Sequence, residues 1–187
     1  MTEPSPPAFD VDAALARVRA RVRSVPNFPK EGILFRDITP VLADPPTLVA
    51  ALALHRHHIT DIEGQIDKIV GIESRGFLFG MALAAELHVG FVPVRKPGKL
   101  PAETLEVRYA LEYGEDALQI HADAISKGNR VLIVDDLLAT GGTAAAAQQL
   151  VEQLGGTVLA ALFLIELEAL EGRARLGELR VETLLRY

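Results

Sequence analysis

The 187 residues include no cysteine, which excludes disulfides, thiolate catalysis and cysteine-ligated metals. There is no basic excess either. A formal net charge of −6 leaves no electrostatic footprint for non-specific nucleic-acid binding, although a local basic patch around an anionic ligand is compatible with it. No uninterrupted apolar run reaches membrane-spanning length, so no membrane partner is expected. Residues 1–7 hold three prolines and no apolar h-region of a secretory signal, so the expected compartment is the cytoplasm. No Gly-x-x-x-x-Gly-Lys-[Ser/Thr] loop is present, and there is no internal repeat or sign of a second domain. What is there, 49% hydrophobic and 24% charged residues, suits a single soluble globular domain over residues 1–187, with 1–7 disordered.

Residues 131–143, Val-Leu-Ile-Val-Asp-Asp-Leu-Leu-Ala-Thr-Gly-Gly-Thr, organise the rest. Their four leading apolar residues predict a buried parallel-type strand that ends at the adjacent carboxylates Asp135 and Asp136. The small-residue turn Ala139-Thr140-Gly141-Gly142-Thr143 then opens a helix near Ala144. Amides at a helix N-terminus attract phosphate through unpaired N–H groups and the helix dipole, and Gly141 and Gly142 allow close backbone approach. The two acids suit hydroxyls or a hydrated divalent cation beside that phosphate. A Walker B strand would need the phosphate loop that is absent. A phospho-accepting receiver domain opens on such a strand, whereas only about fifty residues follow this one.

Elsewhere, apolar spacing predicts a helix from Val11 to Val25 that Pro26 ends, with Arg17, Arg19, Arg21 and Arg23 on a solvated face. Residues 27–44, punctuated by Pro29, Gly32 and Pro40, read as an ordered loop in which Phe35 is either a core plug or a flat surface for a planar base. A helix over 47–59 carries His55 and His58, which read as exposed residues rather than a metal pair because no third ligand is near. A strand at 66–72 leads through Glu73-Ser74-Arg75-Gly76 into a helix at 77–87. Arg75 there suits a phosphate or pyrophosphate, or an ion pair with Glu73. A short strand at 91–94 runs straight into Arg95-Lys96-Pro97-Gly98-Lys99, three cations better explained by an anionic ligand than by solubility. Residues 101–117 read as a long excursion or hairpin arm, of the kind that often forms a lid. A strand at 157–165, a helical stretch at 170–179 and an edge strand at 181–187 complete an α/β domain with a largely parallel sheet, whose ligands sit at the strand C-terminal ends.

These segments resemble the type I phosphoribosyltransferases and, within them, the adenine phosphoribosyltransferase family, from about residue 27 onward. The resemblance rests on Phe28-Pro29 with residues 32–40 (Gly-Ile-Leu-Phe-Arg-Asp-Ile-Thr-Pro), on residues 73–80 (Glu-Ser-Arg-Gly-Phe-Leu-Phe-Gly) and on residues 94–101 (Val-Arg-Lys-Pro-Gly-Lys-Leu-Pro). Leu111-Glu112-Tyr113-Gly114 and the 134–143 stretch complete it. Glu31 departs from it where members often carry proline, away from any ligand contact. The resemblance implies the single-domain type I fold with a flexible hood or lid loop, residues 8–44 forming its N-terminal helix and base-binding hood segment. It implies transfer of ribose 5-phosphate from phosphoribosyl pyrophosphate to N9 of adenine, giving AMP and pyrophosphate, with Mg2+ as cofactor and a homodimer as the assembly.

By the same resemblance Ala139, Thr140, Gly141, Gly142 and Thr143 wrap the 5-phosphate. Asp135 and Asp136 engage the ribose hydroxyls or, through water, magnesium, with no direct protein metal ligand assigned. Ser74, Arg75, Arg95, Lys96 and Lys99 hold pyrophosphate. Phe35 and Leu137 sandwich adenine, whose edge is read around Leu34 and Arg36. Glu112 handles the proton, Tyr113 packs over the site when the lid closes, and a cis peptide joins Glu73 to Ser74. A transferase for another purine such as xanthine, and a non-catalytic phosphoribosyl-pyrophosphate sensor, are the alternatives. The sensor would need a helix-turn-helix or a basic RNA-binding face, neither of which is evident.

Overall fold

A computed structural model describes residues 9–110 and 114–187. The proline-rich start, Glu112 and Tyr113 therefore lie outside the described residues. The chain parts into two compact units, Met1–Leu54 and His55–Tyr187.

In the first unit, α1 (Val11–Arg21) starts where the Asp10 carboxylate accepts the Ala13 amide at 3.0 Å, and it carries Arg19 and Arg21 in its last turn. Both features complement the helix dipole. The helix stops five residues short of Pro26, because Arg23–Pro26 is extended as β1 and pairs antiparallel with β2 (Leu34–Asp37). The ordered loop expected at 27–44 is thus partly regular secondary structure: β2, then the short helix α2 (Thr39–Ala43). Asp37 joins the two. Its carboxylate accepts the Thr39 amide at 2.8 Å and Arg23 Nε at 2.9 Å, and these hydrogen bonds, the amide first, pull its pKa down to about 2. Arg21 pairs with Asp44 at 3.1 Å, so the arginines are more than a solvated face. Helix α3 (Pro45–His57) then carries the chain onward.

In the second unit, β3 (Lys68–Ile72), α4 (Gly76–Leu87) and β4 (Gly90–Val94) are followed by an antiparallel pair, β5 (Thr104–Ala110) and β6 (Glu115–His121). Then come β7 (Arg130–Leu138), α5 (Gly142–Gln153), β8 (Thr157–Glu166) and β9 (Val181–Arg186), with two short 3-10 turns between the last two strands. The main sheet has the order β4-β3-β7-β8-β9, and every pairing in it is parallel. This is the expected fold class, a largely parallel sheet flanked by helices. Parallel strands are covered on both faces, which is why residues 131–134 and 160–165 are apolar without alternation and almost wholly buried.

Three local expectations change. The β7 strand does not end at the two acids: Leu137 pairs with Ile165 and Leu138 with Glu166, so Asp135 and Asp136 stand inside the ladder. His55 is fully buried rather than exposed, its ring stacked on Phe79 at 5.0 Å. His58, half-buried, faces Glu182 at 3.1 Å. The helical stretch expected at 170–179 is shorter, two 3-10 turns at Glu168–Leu170 and Gly172–Leu176. Among the described residues no helix is long and apolar enough to cross a membrane.

Candidate active site

The strand order reverses direction between β3 and β7, because the connection from β3 runs outward to β4 whereas β7 lies on the other side of β3. Open parallel sheets hold ligands at the carboxyl ends of the strands flanking such a reversal. A cleft of about 420 Å³ lies there, lined by Glu73, Ser74 and Arg75 after β3, by Asp135 to Leu138 of β7, by Ala139, Thr140, Gly141, Thr143 and Ala144, and by Lys96. Ten of the residues expected from the sequence meet in this one place. Gly142 is buried as the first residue of α5, and Leu137 forms part of the wall.

One side of the cleft is built by backbone. Gly141 has φ +81°, a left-handed conformation that favours glycine, and it turns the chain from β7 into the N-terminus of α5. The first amides of α5 have no intrahelical partner, so the turn presents donors to an anion.

The opposite side is built by charged side chains, each already engaged. Arg75 Nε lies 2.9 Å from Asp136. Glu73 accepts Arg95 Nε at 3.3 Å, the Lys96 amide at 3.0 Å and the Lys99 ammonium. The Lys96 ammonium is held by Asp116 and donates to the Tyr109 hydroxyl at 3.0 Å. Arg95 and Lys99 do not line the cleft themselves; each pairs with Glu73, which does. The peptide between Glu73 and Ser74 is cis, as the resemblance implied.

Between the two sides stand the acids. Burial, and after it the charge of Asp136, push the Asp135 carboxyl well above the usual carboxylate range. Burial raises Asp136 too, but the Arg75 guanidinium opposes it. The Asp136 amide donates to Asp135 Oδ1 at 2.8 Å. Desolvated acids of this kind are poised for a ligand that brings its own positive charge or hydroxyl donors.

Leu34, Phe35 and Arg36, assigned to the base, belong to β2 in the first unit. Leu34 is exposed, Phe35 meets Phe28 edge-on at 5.1 Å, and Arg36 Nη1 donates to the Ser24 hydroxyl at 2.5 Å. Sequence reasoning missed the engagement of Lys96 by Tyr109 and Asp116. The alternation of β5 and β6, once paired, places those two residues opposite each other, but that pairing has no local signature.

Residues 41–181 match the model of the phosphoribosyl transferase domain. An adenine phosphoribosyltransferase of Methylococcus capsulatus is 54% identical over 171 residues, covering 91% of this chain and 99% of that one. The crystal structure of the adenine phosphoribosyltransferase of Rhodothermus marinus is similar with a TM-score of 0.89 at 51% identity, over 94% of this chain and 99% of that one. The enzyme of Saccharomyces cerevisiae, crystallised with an imino-altritol bisphosphate and adenine, gives 0.89 at 46% identity over 92% of this chain and 99% of that one. A parallel sheet with its cleft at the strand reversal, a phosphate-type turn at one wall and cations at the other, and relatives at half identity over nearly the whole length have one reading: the chain belongs to the phosphoribosyltransferase family, in its adenine phosphoribosyltransferase branch.

Proposed function

We propose that this chain transfers the 5-phosphoribosyl group from phosphoribosyl pyrophosphate to N9 of adenine, releasing AMP and pyrophosphate. The observation that carries the reading is the cleft itself, which brings a backbone phosphate-type turn, cationic side chains and the adjacent acids Asp135 and Asp136 together. Displacement at the anomeric carbon passes through an oxocarbenium-like state while a highly charged leaving group departs, so placed charge and orientation must do most of the work. Residues 139–143 hold the 5-phosphate through amides and threonine hydroxyls. Asp135 and Asp136 accept the ribose hydroxyls and face the developing positive ring. Ser74, Arg75, Arg95, Lys96 and Lys99 take the pyrophosphate. Phe35 and Leu137 hold the adenine ring, with Leu34 and Arg36 at its edge. Glu112 takes the adenine proton, and Tyr113 covers the site with the lid.

The donor set fits a hydrated magnesium ion. Asp135 and Asp136 stand side by side in β7 at the cleft, and a pair of carboxylates suits a cation that keeps its waters and draws on substrate oxygens. Asp135 and Asp136 would hold it through water, and the chemistry it supplies when bound is neutralisation of leaving-group charge. We place the protein in the cytoplasm as a homodimer, a state that light scattering measures directly.

A base panel of adenine, hypoxanthine, guanine and xanthine, with phosphoribosyl pyrophosphate and magnesium, tests the reading by nucleotide and pyrophosphate release. AMP from adenine is expected. No AMP, or faster turnover of another purine, overturns it. Glu112→Gln should lower turnover more than donor affinity, and unchanged turnover removes Glu112 from the mechanism.

A further inference from the structure

The turn after β8 lies backbone to backbone against the phosphate-type turn. A Cβ on Gly172 would come within 2.2 Å of the Ala139 carbonyl oxygen and 3.1 Å of the Gly141 amide nitrogen, and a Cβ on Gly141 would come within 2.2 Å of the Gly172 carbonyl oxygen. An approach this close needs glycine on both sides. Neither Gly172 nor the residues that secure it line the cleft.

What secures Gly172 is a polar network in which Glu166 and Thr183 are buried and Arg173 is partly exposed. Glu166, 5% exposed at the end of β8, accepts Arg173 Nε at 2.6 Å, Arg173 Nη2 at 2.8 Å and the Thr183 hydroxyl at 2.9 Å. Arg173 also donates to the Val181 carbonyl at 2.8 Å. In addition, the Leu167 amide donates to the Leu138 carbonyl at 2.9 Å, which ties the start of this turn to the start of the other. A guanidinium whose donors are fixed by a buried carboxylate, a hydroxyl and a carbonyl has one geometry, so the residue before it is held with equal precision.

We infer that Gly172, held by Glu166, Arg173 and Thr183, is the positioning residue that shapes the 139–141 turn, so that this network sets affinity for the 5-phosphate without touching it. The inference rests on residues 139–143 being the 5-phosphate site. Mere packing would weaken every ligand alike. A positioning role instead selects ligands that carry the 5-phosphate.

The test is titration calorimetry with ribose 5-phosphate and, separately, magnesium pyrophosphate, on Gly172→Ala, Thr183→Val and Thr143→Ala, each checked for folding by circular dichroism. Gly172→Ala should weaken ribose 5-phosphate by about tenfold or more, because displacements of an ångström at a site are costly, and leave pyrophosphate within about twofold. Thr183→Val should show the same selectivity at about threefold, the scale of one hydrogen bond. If Gly172→Ala does not fold, Thr183→Val decides alone by the same criteria. Unchanged ribose 5-phosphate affinity, or equal losses for both ligands, overturns the positioning role. Thr143→Ala separates the two claims: if it weakens ribose 5-phosphate while the other variants do not, only the positioning role falls, and if it has no effect, the 5-phosphate assignment falls with it.

Discussion

The two walls of the cleft present charge by opposite means. Residues 139–143 offer main-chain amides fixed by a left-handed glycine and by close backbone packing, a wall with nothing to rearrange. The facing wall offers Arg75 and Lys96, engaged by Asp136 and Asp116, and Glu73, which holds Arg95 and Lys99. An anion arriving at the first wall meets donors that lack helical partners, whereas at the second it must displace a carboxylate from every cation. Rigid amides give geometry, and exchangeable ion pairs let the cations remain neutralised until a more highly charged partner comes.

The largest expected effect breaks the rigid wall. Gly141→Ala must leave φ +81° or drive a methyl into the Gly172 carbonyl, and kcat/KM for the donor should drop by about a hundredfold. A loss under threefold would mean that this wall yields after all. Next, Arg75→Met should weaken pyrophosphate by about tenfold, the scale of one charged hydrogen bond, and change ribose 5-phosphate by less than about twofold. Equal losses by calorimetry would erase the distinction between the walls. Smallest is Asp116→Asn. Removing the competitor for Lys96 should tighten pyrophosphate by about two- to fivefold, as befits a partly exposed pair, and weaker binding would show that Asp116 steers Lys96 instead of restraining it. Added salt should weaken pyrophosphate more steeply than ribose 5-phosphate.

The backbone wall was also the legible one. An apolar run, two acids and a glycine turn announce themselves because strand, turn and helix N-terminus are all local, and the residues expected there line the cleft or, as Gly142, sit beside it in α5. The length of β7 was not legible: its continuation through Leu138 depends on pairing with Ile165 and Glu166, far along the chain. The β1–β2 pair hid for a similar reason. Its strands are four residues each, and Pro26 and Pro29 look like loop punctuation until Arg23 meets Asp37. His55 was misread because a ring that stacks on Phe79 has the same one-letter signature as a solvated one. Of the cationic wall the sequence disclosed the cations but not their partners. Glu73 stood beside Arg75 in sequence, yet it serves Arg95, Lys96 and Lys99, and that arrangement depends on how β3 and β4 lie side by side.

The anchoring of Gly172 also carries a timetable. The turn at 139–141 leans on a residue whose own supports reach to Thr183, in β9, the last strand of the sheet to be made. Ribosomes extend chains at about 5–20 residues per second, so the roughly forty residues between Gly141 and Thr183 take seconds to arrive. Until then β7 and α5 can be present while the turn joining them has no backing. If residues 139–143 hold the 5-phosphate as proposed, phosphate affinity is among the last properties a newborn chain acquires.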